Sequence, residues 1–309
     1  MTDRPKTTLR DCIYGLAVGD ALGVPYEFMP RGTFECTDMI GCGTHGQPAG
    51  TWSDDTSMTL ATCDSIRELG HIDTADMRDK FVGWIARGEY TIDGVFDYGG
   101  TTARALRTGK GGSGERDNGN GSLRRIAPLA FYMFGIRKAE ERFRLVKEVS
   151  SLTHAHEWSV AACYIYVEML NKLRMGRTKK AAYAELREDF ARGVPFISKE
   201  TLAKFVRILE NDISALPEED IRSSGFVIDT LEAAFWCFLT TDNYKDAVLK
   251  AVNLGDDTDT TGAVTGALAG LAYGLEGIPQ EWREQLAAYD EVRRIAVKMP
   301  RWNYFRKIA

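Results

Sequence analysis

The chain has 309 residues, of which 44% are hydrophobic and 27% are charged, and its formal net charge is −5. This composition excludes a disulfide- or metal-stapled miniprotein, a collagen-like or fibrous protein and a chain with long disordered tracts. The mild negative charge gives no general attraction for nucleic acid or anionic lipid, so we expect neither as a partner.

Hydrophobic residues recur at helical spacing along most of the chain, and no convincing alternating strand pattern is present. With no linker rich in proline or serine, the pattern predicts one compact all-α domain of about a dozen helices over residues 1–309. In chain order, the predicted helices cover residues 8–22, 56–69, 75–87, 123–134, 142–152, 157–173, 179–191, 199–213, 226–239, 243–253, 260–273 and 279–298.

Cysteine usage and the first residues predict a cytoplasmic protein. The six cysteines are scattered without CxxC pairs, as expected of free thiols in a reducing compartment. The N-terminal residues are polar and unlike a signal peptide, and the longest weakly polar stretch, residues 262–275, is shorter than the ~20 residues of a membrane span. We take a monomer as the default assembly.

Two glycine-rich segments, residues 32–53 and 94–122, are predicted to be long loops, which are usually functional or mobile in compact domains. Residues 109–114 alone are typical of a flexible insert. The Asn-Gly-Asn-Gly run over residues 118–121 favours positive φ and exposed amides, which can form an anion-binding nest.

Glycine also recurs every four residues inside two predicted helices. Each such glycine costs about 1 kcal/mol relative to alanine, so the pattern indicates a close helix–helix approach. We therefore predict that these two helices pack against each other at the centre of the bundle. The glycines are Gly15, Gly19 and Gly23 in the first helix, and Gly262, Gly266, Gly270 and Gly274 in the second.

Acidic and hydroxyl residues cluster at two helix starts, residues 53–56 and 256–260. Helix capping explains either cluster alone, because Ser, Thr and Asp are the preferred N-caps. The second cluster nevertheless places three carboxylates within four residues, which repel one another unless a cation neutralises them, and oxygen ligands select magnesium, manganese or calcium. If the two helix starts face each other, their side chains supply enough oxygens for two metal ions: Asp54, Asp55, Asp257 and Asp259, with the hydroxyls of Ser53 or Thr56 and of Thr260.

Seven segments in order resemble the motifs of the ADP-ribosylglycohydrolase family, over roughly residues 9–279. The segments SDDTSM and GDDTDTTGA resemble its two metal-binding motifs, and GLAVGDALGVPYEF resembles its first helix with the acid that follows. DYGGTTARAL and NGNGSLRRIAP resemble its ribose and pyrophosphate loops, while SSLTHAH and GFVIDTLEAAFWCF resemble its adenosine-side segments. The similarity is greatest to the bacterial branch that includes the dinitrogenase reductase-activating glycohydrolase.

The resemblance implies an orthogonal helical bundle with a central cleft that holds two Mg²⁺ or Mn²⁺ ions. It implies cleavage of the N-glycosidic bond between ADP-ribose and a protein side chain, typically arginine, with ADP-ribose as product. Glu27 and Asp97 are implied as the catalytic carboxyl groups, although a surface acid and a cap are the ordinary interpretations of such residues. The implied ligands are Ser53, Asp54, Asp55 and Asp259 for one metal, and Asp257, Asp259 and Thr260 for the other.

The remaining implied residues bind the ADP-ribose half of the substrate. Backbone amides are expected to neutralise the diphosphate, with Arg124 and Arg125 interpreted as more ordinary solvated or ion-paired residues. His154 and Phe226 are implied at the adenosine end, against the ordinary roles of a helix C-cap and a core residue. The amide positions are Gly99, Gly100, Thr101, Asn118, Gly119, Asn120, Gly121 and Ser122.

Two other functions stay open at this stage. One is a hydrolase of a different ADP-ribose linkage or of a free ADP-ribosylated metabolite. The other is a noncatalytic protein that binds ADP-ribose, which would be expected to have lost its metal-binding carboxylates; here the two acidic clusters are intact, which favours catalysis.

Overall fold

The computed structural model describes residues 8–286, which form an all-α fold of fourteen α-helices. In this range the only β-type pairing consists of three isolated bridges. The predicted all-α class is therefore confirmed. The helices are α1 Leu9–Gly23, α2 Asp54–Leu69, α3 Thr74–Arg87, α4 Gly100–Thr108, α5 Leu129–Tyr132, α6 Ala139–Ser150, α7 Glu157–Arg174, α8 Lys179–Ala191, α9 Lys199–Ala203, α10 Val206–Leu209, α11 Val227–Leu239, α12 Tyr244–Val252, α13 Thr258–Tyr273 and α14 Gln280–Gln285.

Three predicted elements are wrong in type or length. Helix α4 lies inside the predicted loop 94–122, because glycines at its ends, Gly99 as N-cap and Gly109 in the left-handed region as C-cap, enclose a short helix. The predicted helix 123–134 shrinks to α5, since Pro128 prevents a helix from continuing through it. The predicted helix 199–213 divides into α9 and α10 at the fully buried Phe205, which leaves the helical conformation. The predicted helix 279–298 begins as α14, and its part beyond residue 286 lies outside the described residues.

The glycine stripes of α1 and α13 pack directly against each other, as predicted. A Cβ atom added to Gly15 would lie 2.2 Å from the carbonyl oxygen of Gly266, and one added to Gly19 would lie 2.2 Å from that of Gly262. Both distances are far below van der Waals contact, so only glycine permits this approach. The Tyr244 hydroxyl donates to the Gly15 carbonyl at 2.7 Å and fixes α12 against the same pair.

The end of α1 meets the start of α13. A Cβ on Gly23 would lie 2.3 Å from Cα of Asp259, and the Thr258 hydroxyl donates to the Gly23 carbonyl at 2.8 Å. The polypeptide leaving α1 is therefore held beside the second acidic cluster. This contact positions the candidate active site.

The helices of residues 8–286 include none with the length and low polarity that crossing a bilayer requires. All six cysteines carry free thiols, five of them buried.

Candidate active site

Helix α2 is capped by Ser53 together with a carboxylate from another helix. Ser53 Oγ accepts a hydrogen bond from the Asp55 amide at 3.2 Å. Asp20, fully buried in α1, accepts from the amides of Ser53 at 2.9 Å and Thr56 at 3.0 Å and from the Thr56 hydroxyl at 2.6 Å. Burial raises the pKa of Asp20 to about 6. Because other groups cap α2, the carboxylates of Asp54 and Asp55 are not required as caps.

Asp20 is not among the site residues predicted from the sequence. The sequence feature that marks it is a single acid inside the otherwise small and apolar run GLAVGDALG. A carboxylate in such a helix is buried at considerable cost unless it accepts hydrogen bonds, so it marks a contact with another element.

The two predicted acidic clusters lie close together. Carboxylate oxygens of Glu27, Asp257 and Asp259 lie within 4.8 Å of one another. Asp55, at the start of α2, joins them through the Thr260 hydroxyl, which donates to Asp55 Oδ1 at 3.4 Å. The two helix starts therefore meet, which is the condition under which both clusters contribute ligands to one site.

The donor set of this cluster fits a divalent cation. Asp55 Oδ2, Asp257 Oδ1 and Asp259 Oδ2 are buried without a hydrogen-bond partner. Burial, followed by the charges of Asp97 and Asp257, raises the pKa of Glu27 to about 9. Such crowding of anionic oxygens is stabilised by hard cations such as Mg²⁺ or Mn²⁺.

Arg124 is buried against the Asp54 side of the cluster, so of its two ordinary interpretations the ion-paired one is confirmed and the solvated one is wrong. It donates to both oxygens of Asp54 and, at 2.5 Å, to Oδ1 of Asp55. Arg125 is also buried, with its guanidinium 4.7 Å from the centre of the Phe81 ring. Adjacent arginines resemble a solvated surface in sequence, and only the tertiary contacts distinguish them from one.

Glu27 is held by an unusual backbone arrangement. The residues Phe28 and Asp256 both have positive φ, 66° and 59°, which is uncommon outside glycine. The Phe28 amide donates to the Asp256 carbonyl at 2.7 Å, and the Asp256 amide donates to the Met29 carbonyl at 2.9 Å. This reciprocal pairing fixes Glu27 beside Asp257.

Asp97 lies on the α2 side of the cluster. It is half-buried and lines a narrow cleft together with Ser53 and Asp54. Its negative charge contributes to the raised pKa of Glu27, so the two implied catalytic carboxyl groups are electrostatic neighbours.

The segments of the predicted ADP-ribose loops are hydrogen-bonded and packed to one another beside the acidic cluster. The Gly112 amide donates to the Thr153 carbonyl at 2.8 Å, and the Val227 amide donates to the Asn118 carbonyl at 3.0 Å. The exposed residues Gly99 and Gly100 begin α4, and Thr101 is half-buried in the same first turn. A Cβ on Gly121 would lie 3.0 Å from the Thr102 hydroxyl of α4.

Residues 118–121 do not form the expected anion-binding nest, because none of them has positive φ and Asn118, Asn120 and Gly121 are buried. The amide of Asn120 donates to the Gly225 carbonyl at 3.0 Å. Its side chain instead donates to Oδ2 of Asp257 at 2.8 Å and to the Thr230 hydroxyl at 2.9 Å. Asn120 thus orients a residue of the acidic cluster. The fully buried Ser122 hydroxyl accepts from Ser150 at 2.9 Å.

His154 and Phe226 lie on the same surface as the Asn-Gly-Asn-Gly run. His154 is buried against Gly121, whose added Cβ would lie 2.7 Å from the imidazole Cε1. Burial and the charge of Arg125 lower the pKa of His154 to about 3, so its ring is neutral at physiological pH. Phe226 is half-buried at the start of α11, with its ring centre 6.3 Å from that of Trp158.

Comparisons with known proteins agree with the family resemblance. A sequence model described as ADP-ribosylglycohydrolase matches residues 1–306. The chain is 35% identical over 302 residues to "ADP-ribosylarginine hydrolase Tri1" of Serratia proteamaculans (strain 568), covering 94% of this chain and 78% of that protein. It is 32% identical over 283 residues to "ADP-ribosyl-[dinitrogen reductase] glycohydrolase" of Rhodospirillum rubrum, covering 88% and 87% of the two chains. A solved structure titled "ADP-ribosylglycohydrolase-related protein complex" superposes with a TM-score of 0.79 at 32% identity, covering 96% of each chain.

Proposed function

Because this chain belongs to the ADP-ribosylglycohydrolase family, we propose that it hydrolyses the N-glycosidic bond between ADP-ribose and arginine in a modified protein, with two Mg²⁺ or Mn²⁺ ions. The observation that carries the proposal is the convergence of Glu27, Asp257 and Asp259 beside a surface built from the predicted ADP-ribose loops. The names of the relatives above, an arginine hydrolase and a dinitrogen reductase glycohydrolase, support a protein substrate.

The metal ligands proposed for this chain are those implied by its motifs. Ser53, Asp54, Asp55 and Asp259 would hold one ion, and Asp257, Asp259 and Thr260 the other. The unpartnered oxygens of Asp55, Asp257 and Asp259 support this assignment. When bound, the ions supply a Lewis acid for the ribose hydroxyls and for a water molecule.

Proton transfer is assigned to the carboxyl groups of Glu27 and Asp97. Hydrolysis breaks the bond between the anomeric carbon and the guanidine nitrogen, and the nitrogen leaves with the bonding electrons and takes up a proton. Water forms the new bond to the anomeric carbon and loses a proton. Positive charge develops on the sugar in between, so the surrounding carboxylates stabilise the transition state.

Binding of the ADP-ribose half is assigned to the surface beside the cluster. The first turn of α4 lies beside that surface, because a Cβ on Gly121 would lie 3.0 Å from the Thr102 hydroxyl. Its amides at Gly99, Gly100 and Thr101 suit a diphosphate. Gly121 leaves room for the His154 ring beside it, and neutral His154 and Phe226 would contact the adenosine end. The reaction products are ADP-ribose and unmodified arginine; cytoplasmic location and a monomeric state remain predictions.

The test measures release of ADP-ribose from an arginine-ADP-ribosylated protein with Mg²⁺, with Mn²⁺ and with EDTA. We expect release that requires metal and is lost in Asp259→Asn, which removes one negative charge from the cluster with little change in shape. Release unaffected by EDTA would contradict the metal assignment. Faster release from a serine-linked protein, or from free ADP-ribosylated arginine, would contradict the protein-arginine assignment.

A further inference from the structure

His45 lies against Glu27, although the sequence shows it as an isolated histidine. Its Nε2 shares a hydrogen bond with Oε2 of Glu27, and the side chains are only 13% and 5% exposed. His45 ends a short 3₁₀ turn, Gly43–His45, inside the first glycine-rich segment. This segment therefore contributes a side chain to the candidate active site.

The backbone around His45 is held close to Glu27 by contacts of its own. The Thr44 hydroxyl donates to the Glu27 carbonyl at 2.6 Å. Gly43 has a φ of 63°, and a Cβ on it would lie 2.0 Å from the Pro25 carbonyl oxygen, so only glycine permits this approach. The turn is thus docked on residues 25–27 independently of the imidazole itself.

The His45 ring also contacts the segment that carries the second implied catalytic group. Its centre lies 5.1 Å from that of Phe96 and 6.0 Å from that of Phe28. Phe96 precedes Asp97 directly. One imidazole therefore contacts Glu27 through a hydrogen bond and the Asp97 segment through ring packing.

The charges around Glu27 make such a partner necessary. Asp55, Asp97 and Asp257 all repel its carboxylate, and Arg124 is the cation that offsets them. A hydrogen bond to a fixed partner holds this carboxyl group in one direction among its acidic neighbours. His45 provides that bond.

We propose that His45 is a positioning residue that keeps the Glu27 carboxyl directed at the acidic cluster and the Asp97 segment packed beside it. This inference rests on the proposed function, because its consequence for turnover requires that Glu27 acts in hydrolysis. The ring contacts Glu27, Phe28 and Phe96.

The experiment compares three variants with the wild type. His45→Phe keeps the ring packing on Phe96 and removes both nitrogens, whereas His45→Gln restores a side-chain nitrogen close to Nε2. His71→Phe is the matched control, because that histidine is 61% exposed. The readouts are kcat and KM for ADP-ribose release, Mn²⁺ affinity by calorimetry, and crystal structures of the variants.

We expect His45→Phe to lower kcat by about tenfold to a hundredfold, the range typical of residues that orient a catalytic or ligating group, with KM and Mn²⁺ affinity within about twofold of wild type. His45→Gln should regain most of the lost kcat, and His71→Phe should match wild type. An unchanged kcat in His45→Phe, an equal loss in His45→Gln, or a parallel change in KM and Mn²⁺ affinity would overturn the proposal.

The crystal structures separate this inference from the proposed function. In His45→Phe the Glu27 side chain should rotate away from Asp257 while α1 is unchanged. If Glu27 keeps its position, the positioning role is refuted whatever the activity. If Glu27 moves and the wild type releases no ADP-ribose, the proposed reaction fails and the positioning contact stands.

Discussion

Replacing Gly23 by alanine should disturb the candidate metal centre through the backbone, without touching any of its side chains. The new Cβ would lie 2.3 Å from Cα of Asp259 and 2.4 Å from the carbonyl oxygen of Thr258. Carbon atoms pack at about 3.5–4.0 Å, so the start of α13 must move away by more than about 1 Å. Asp259 moves with it.

The size of the effect follows from this displacement. Overpacking of this kind destabilises proteins by about 1–3 kcal/mol, so we expect the free energy of unfolding to fall by that amount. Functional groups must stay within about 0.5 Å of their productive positions, so Mn²⁺ affinity should fall by about tenfold or more. Urea unfolding in EDTA measures the first quantity, and calorimetry with Mn²⁺ measures the second.

Gly83→Ala in α3 provides the control. There the new Cβ meets only the ends of the Arg87 and Glu89 side chains, which are 62% and 41% exposed and can move aside. Alanine in a helix interior gains about 1 kcal/mol over glycine, so this variant should be at least as stable as wild type and bind Mn²⁺ equally well. Wild-type Mn²⁺ affinity in Gly23→Ala would refute the argument that this glycine positions Asp259.

Three further outcomes are expected. In EDTA, the free energy of unfolding should decrease as the pH rises from about 5 to 9. Folding raises the pKa of Glu27 to about 9, so the folded state binds more protons than the unfolded chain in this range. Melting temperatures that stay level or rise would contradict this, and Mn²⁺ should remove the trend. Asn120→Ala removes the 2.8 Å hydrogen bond to Asp257 and should weaken Mn²⁺ binding by about tenfold in calorimetry; unchanged affinity would exclude an orienting role. Gly121→Ala places a Cβ 2.7 Å from the His154 ring and should weaken ADP-ribose binding, measured by calorimetry, while Mn²⁺ binding stays at the wild-type level.

Local patterns predicted most of the helices, the contact between the two glycine stripes and the two acidic clusters as candidate ligands. Helix α8 matches its predicted bounds, because a period of 3.6 residues is a property of the segment itself. The glycine stripes predicted the α1–α13 contact for the same reason, since glycine inside a helix is costly unless a neighbour comes close. The acidic clusters could be recognised in the sequence because carboxylates rarely lie close together without a cation.

The site contacts that no local pattern predicted join distant segments of the chain. Asp20 caps a helix that begins more than thirty residues later, and Arg124 pairs with carboxylates seventy residues away in the chain. His45 reaches Glu27 through a glycine turn whose docking no local pattern reveals. Helix α4 was not predicted, because the glycines that cap it are typical of loops.

The contact between α1 and α13 also bears on how the protein is made. The hydrogen bond from Thr258 to Gly23 spans 235 positions of the chain, and pairings of such long range form slowly. A nascent chain still on the ribosome carries Asp20, Glu27 and the start of α2 long before Asp257 and Asp259 emerge. We therefore expect no partial catalyst during translation: the carboxylates meet only when nearly all of the chain has been synthesised, so a ribosome stalled before α13 holds an inactive polypeptide.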